Sequence, residues 1–171
     1  MSLLSRLFGK RSDDRAEVRP LWHAVVALSR DPAWYAECRV ADTVPGRFDA
    51  ITLVLGAVLL RMEREPALIP ASALLTELFV EDMDGQLRQS GVGDIVVGKR
   101  MGKLMSALGG RLEAYRAALA AGDDAALSEA IDRNVSLAEG GDPAVVAARF
   151  RTVAQRIAAL PADRLLAGEI A

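Results

Sequence analysis

Arg47-Phe48-Asp49-Ala50-Ile51-Thr52-Leu53-Val54-Leu55-Gly56-Ala57-Val58-Leu59-Leu60-Arg61-Met62-Glu63-Arg64-Glu65 is the stretch whose periodicity decides the architecture. Wound at about 100° per residue, its apolar side chains leave little polar face. A helix that is apolar nearly all round must be wrapped by other chain, so this one is expected at the centre of a helical domain. Its longest apolar run, Ile51 to Leu60, is interrupted by Thr52, closed by Arg61, and half the roughly 20 residues a membrane span needs. It reads as buried, not spanning.

Helical signals continue on both sides. Upstream, Ala41-Asp42-Thr43-Val44-Pro45-Gly46 reads as a loop from its turn residues. Before it, Asp31 as N-cap and Pro32 at the first helical position open a short helix through Trp34, Tyr35 and Cys38. An earlier helix follows from Leu21, Trp22, Val25, Val26 and Leu28. Downstream, Pro66 and Pro70 bracket a connection to a helix over Ala71 to Gln89, which Ser90-Gly91-Val92-Gly93 breaks. Asp94 caps a long helix to about Ala120, and Gly122 ends it. Asp123 starts another reaching Leu137, Gly140-Gly141 stops it, Asp142-Pro143 opens one reaching Ala159, and a last short helix follows Pro161. Period-two alternation is missing. The prediction is an all-α, single-domain bundle of about six to eight helices with no sheet, over residues 20–171, preceded by an amphipathic segment at 1–19.

Composition agrees with helices and narrows the function. Of 171 residues 51% are hydrophobic but only 5% aromatic, so Leu, Ala, Val and Ile must build the core. A net charge of -2 gives no field to hold nucleic acid. Cys38 is the single cysteine and cannot form an internal disulfide, and Met1-Ser2-Leu3-Leu4 lacks the apolar core of a signal peptide. A cytoplasmic protein, peripheral on the inner membrane face, is expected. Leu3, Leu4, Leu7 and Phe8 fall on one helical face beside Arg6, Lys10 and Arg11, a pattern suited to an anionic membrane surface. A segment so short reads equally as a frayed terminus.

Gly93-Asp94-Ile95-Val96-Val97-Gly98-Lys99 has the glycine and lysine spacing of a phosphate loop. Arg100 stands where a magnesium-binding hydroxyl belongs, and a charged helix, not a buried strand, precedes it. The better reading is a stripe of small residues, Gly98, Gly102, Ser106 and Gly110, along one flank of the long helix. Such a flank lets another helix approach, inside the fold in the first reading and from a partner in the second. Asp82 falls among Leu75, Leu78 and Phe79, so a counter-charge is expected from Arg88, Lys99, Arg100 or Lys103. His23 is the sole histidine, which excludes the common histidine metal sites and triads; Cys38 reads as a buried spectator. Asp82 and Asp84 diverge around a helix and cannot share an ion. No metal, cofactor or catalytic constellation is expected.

Several blocks, taken in order, resemble the ubiquinol-cytochrome c chaperone family. They are Trp34-Tyr35, Val40 to Asp49, Glu81 to Arg88, Gly91-Val92-Gly93-Asp94 with Val97-Gly98-Lys99-Arg100, Gly110-Arg111 with Tyr115, and Arg133-Asn134-Val135. The block from Asp82 to Arg100 is the most specific. The resemblance implies an all-helical, non-enzymatic assembly factor that holds newly made cytochrome b for the bc1 complex, at the membrane or near the ribosome exit. The family often has a histidine where this sequence has Val54, so this helix lacks that group for haem or proton handling.

The expected site is a client-binding surface flanked by Asp82, Asp84, Arg88, Gly91, Asp94, Gly98, Lys99, Arg100 and Gly102, with Leu3, Leu4, Leu7 and Phe8 against the membrane. Its client is cytochrome b or another hydrophobic membrane protein. The rival reading is a lipid- or quinone-binding carrier, which an enclosed apolar cavity between the central helix and the one from Ala71 would favour; an open groove would favour the chaperone.

Overall fold

A computed structural model describes the backbone of residues 15–89 and 94–171, and the side chains of 15–86 and 101–171. Helices α1 (Arg19–Ser29), α2 (Pro32–Ala36) and α3 (Val44–Met62) lead into a 3-10 turn at Pro66–Leu68. There follow α4 (Ile69–Gln89), α5 (Asp94–Ala121), α6 (Asp124–Asn134), α7 (Pro143–Ala158) and α8 (Ala162–Leu166). The all-helical expectation holds.

Helix α3 is the axis, touching α1, α4, α5 and α7. Every residue from Ala50 to Leu60 is buried. Burying a side chain such as Leu53, Val54, Leu55 or Val58, each fully enclosed, stabilises the fold by roughly 1.5–3 kcal/mol. The outer helices close around this rod with one-sided faces. On α7, for example, Val146, Phe150, Val153 and Ile157 point inward at helical spacing.

Capping chemistry sets several boundaries. Asp31, Asp123 and Asp142 each accept the backbone N–H two residues on, at 2.8–2.9 Å. Gly122 ends α5 with φ +67°, a left-handed value that glycine adopts without a Cβ penalty.

Three boundaries differ from the sequence reading. α3 begins at Val44, inside the segment expected to be a loop, because Thr43 caps it by accepting the Gly46 N–H at 3.2 Å and Pro45 fits a first turn that needs no amide donor. Gly46 is there because a Cβ would lie 1.9 Å from the Ala41 carbonyl oxygen. α6 stops at Asn134, not Leu137, because Val135 turns extended and the next residues pair with the segment before α3. Ala41 donates to the Ser136 carbonyl and Ala138 to that of Arg39, both at 2.8 Å. Val40 and Leu137 form an isolated antiparallel bridge. Pro70 likewise sits within the first turn of α4 rather than outside it.

Candidate functional site

The first turn of α3 emerges beside the α1–α2 corner, and the corner is stapled by side chains. Trp34 donates its indole N–H to the Leu28 carbonyl at 3.0 Å, and the Tyr35 hydroxyl donates to that of Ser29 at 2.9 Å. These bonds hold carbonyls at the end of α1, that of Leu28 accepting the Asp31 N–H as well. Arg149 of α7 stands 4.9 Å from the centre of the Trp34 ring and pairs with Asp31 at 2.6 Å. The corner is therefore rigid where it faces α3.

Between the corner and α3 lies an open cleft of about 1200 Å³. Pro32, Tyr35 and Ala36 form one wall, and Val44, Pro45, Phe48 and Ile51 of α3 form the floor. Met83 and Gln86 of α4 and Leu104 of α5 close the far side. Charges stand at the lip: Arg30 at the end of α1, and Arg47 with Asp42, paired at 2.6 Å. The hydrogen bond from Arg47 holds the Asp42 carboxyl below its ordinary range, while partial burial pushes the Tyr35 hydroxyl up. Val44 is 84% exposed, unusual for a side chain of its kind. An apolar hollow with a polar rim fits a hydrophobic segment of another molecule.

A buried polar junction fixes the floor. Asp49, 4% exposed, accepts from the Arg111 guanidinium at 2.6 Å through one oxygen and from the Ser136 backbone N–H at 2.9 Å through the other. Arg111 also donates to the Thr52 hydroxyl at 2.5 Å and stacks over Phe48, 5.2 Å from the ring centre. The carboxylate thus joins α3, α5 and the strap after α6, and its charge is matched, as burial requires. Nearby, Tyr115 is fully enclosed against Phe150, with ring centres 5.0 Å apart. Its hydroxyl has no hydrogen-bond partner among the described residues, and burial pushes its ionisation well above the ordinary range.

The residues singled out from the sequence fall in three groups. Leu3, Leu4, Leu7, Phe8 and Gly91 lie outside the described residues, as do the side chains of Arg88, Asp94, Gly98, Lys99 and Arg100. Asp82 is half-buried and makes no ion pair among the described residues, and three of its four expected partners, Arg88, Lys99 and Arg100, have side chains outside them. Asp84 faces a shallower hollow with Val80, Glu81 and Met105, where Arg15 bridges Glu77 and Glu81 at 2.9 and 3.1 Å. Their neighbours Met83 and Gln86 are the ones that reach the cleft.

The small-residue flank also differs from its first reading. Gly102, Ser106 and Gly110 are exposed, and a Cβ at Gly102 or Gly110 would meet nothing within 4 Å. No helix of the described fold uses that flank. Residues 94–121 form one continuous helix, so Gly98 and Lys99 are not in a loop, and the element before it is also helical. A strand–loop–helix phosphate site is therefore not built there. His23 is exposed and Cys38 is buried as a free thiol. Among the described residues no group of acidic, histidine or cysteine side chains could hold a metal, and no helix is long and apolar enough to cross a membrane.

Asp49 and Arg111 were visible only as members of separate sequence blocks, 62 residues apart. The blocks holding Trp34-Tyr35, Val40 to Asp49, Gly110-Arg111, Tyr115 and Arg133-Asn134-Val135 converge on this corner and its junction. The sequence profile of the ubiquinol-cytochrome C chaperone family matches residues 36–171. The chain belongs to that family. Among solved structures it is similar to the crystal structure of the Cbp3 homolog from Brucella abortus, with 33% identity and a TM-score of 0.80 over 98% of this chain and 94% of that one. Among curated proteins none matches. In this ubiquinol-cytochrome c chaperone relative, those blocks contribute to the corner, the strap and the junction beside the cleft.

Proposed function

We propose that the chain is a non-enzymatic assembly chaperone that holds newly made cytochrome b, through the cleft between α2, α3 and α4, for assembly of the ubiquinol-cytochrome c reductase (bc1) complex. The observation that carries this reading is an open apolar hollow built from the segments that carry the family likeness, Tyr35 and Val44 to Phe48 among them. Its openness favours a peptide client over a lipid or quinone, which would be largely enclosed. Holding an unassembled membrane segment needs apolar area and a polar lip, and no activated chemical group. The wider rim, with Asp82, Arg88, Asp94 and Lys99, belongs to the same proposal, as does membrane contact through Leu3, Leu4, Leu7 and Phe8.

A photo-crosslinking amino acid in place of Val44, activated in intact cells, is expected to capture cytochrome b. Deleting the gene is expected to lower the amount of assembled bc1 complex. Absence of both effects would refute the assignment. Flotation with anionic vesicles, compared between the native chain and a variant with Leu3, Leu4, Leu7 and Phe8 replaced by Ser, tests the membrane contact.

A further inference from the structure

We infer that the cleft takes its client as a helix, not as an extended strand, and that Arg30 reads a carboxylate at the edge of that helix's apolar face. The inference rests on the proposed chaperone role and adds the conformation and charge of what is held.

The walls supply the first half. The cleft is lined chiefly from helices, and its residues on α4, α5 and the body of α3 spend their backbone groups on intrahelical bonds, leaving only the end of α2 and the first turn of α3 with open ones. The Val40–Leu137 bridge is the sole strand-like pairing among the described residues, and neither residue lines the cleft. An extended segment laid on such walls would bury amides and carbonyls against apolar side chains with nothing to bond them. A helix brings its backbone already satisfied and offers only side chains, the mode by which apolar grooves bind amphipathic helices. Size agrees, since about 1200 Å³ exceeds the roughly 300–1,000 Å³ of a small-molecule pocket.

The lip supplies the second half. Of its charges, Arg47 is paired with Asp42, whereas the exposed Arg30 guanidinium has no hydrogen bond or ion pair among the described residues. The lip therefore carries a surplus positive charge on the α1 side. An apolar helix with a Glu or Asp beside its buried face would neutralise it, and one with Lys there would be repelled.

The test uses the full-length protein and a fluorescent 18-residue peptide of Leu, Ala and Gln, amphipathic as a helix, with one Glu at the border of its apolar face. Binding is read by anisotropy, alongside versions with that Glu changed to Lys and with a central Pro. The Glu peptide should bind, and the Pro should weaken binding on the order of a hundredfold, since it breaks a helix but not an extended chain. Arg30→Glu should weaken the Glu peptide roughly tenfold and strengthen the Lys peptide, a reversal that a folding defect would not produce.

A Pro peptide that binds within a few-fold of the parent overturns the helical client. Equal binding of Glu and Lys peptides to both proteins overturns the role of Arg30. No peptide binding, whether because the chain self-associates through this face on sedimentation or because a fatty acid fills it, overturns the whole inference. Capture of cytochrome b from position 44 in cells would survive each of these results, so the chaperone reading and this one fail separately.

Discussion

Between Ala50 and Leu60 helix α3 buries every residue, whereas its first turn leaves Val44 84% exposed beside Pro45 and Arg47. The two ends are written in similar apolar letters, and only their surroundings differ. The inner part is enclosed by α1, α4, α5 and α7. The outer part projects past them into the cleft, clamped from behind by Arg111 and Ser136 on Asp49. The contrast divides one helix into a part that stabilises the fold and a part proposed to hold the client, with the polar junction at the border.

The sharpest way to break that division is Asp49→Ala. It strands the Arg111 guanidinium in a buried site and frees the strap, so it should cost roughly 3–5 kcal/mol in urea unfolding. Pairing it with Arg111→Met should recover part of the loss, because the stranded charge goes too. Gly46→Ala comes next. Its Cβ would collide with the Ala41 carbonyl, and the loop must move at a cost of about 1–3 kcal/mol, seen as a lower denaturation midpoint. Val44→Asp should do the opposite, changing stability by under about 0.5 kcal/mol while weakening the captured client by about 1 kcal/mol or more. An equal loss of stability and binding there would erase the proposed border.

The smallest effect concerns Tyr115, on the buried side. Removing its unpartnered hydroxyl, in Tyr115→Phe, should leave stability at neutral pH within about 0.5 kcal/mol or raise it slightly. The difference should appear in alkali. Burial raises the folded ionisation above the ordinary value of 10.0, so unfolded chains lose this proton first. The native protein should therefore hold its full stability below pH 10.0 and lose it as pH climbs further, while the Phe variant escapes that contribution.

Local chemistry made much of this readable in advance. Asp31-Pro32 and Asp142-Pro143 start helices, Gly122 and Gly140 adopt positive φ, and the apolar periodicity of 47–65 marked the central rod. Two of the boundaries moved for different reasons, one a local cap and the other a pairing with distant chain. Val44-Pro45-Gly46 has turn residues, yet Thr43 caps them into a helix, and Val135 to Leu137 leaves helical periodicity to pair with residues 39–41. Asp49 stood out only as the end of a family block, since its partners lie 62 and 87 residues away. The small-residue flank of α5 was read first as packing, but spacing along one helix does not say whether another helix arrives. For the cleft, the family likeness pointed to its segments, while which side chains face it depended on how α2 crosses α3.

The clasp on Asp49 has a consequence for the protein's own synthesis. Every described residue lining the cleft lies at or before Leu104, but the two groups that hold its floor come from positions 111 and 136. A growing chain thus displays its sticky surface before the brace that shapes it has been translated. For that interval the chain is itself unfinished, with apolar patches bare to whatever is nearby.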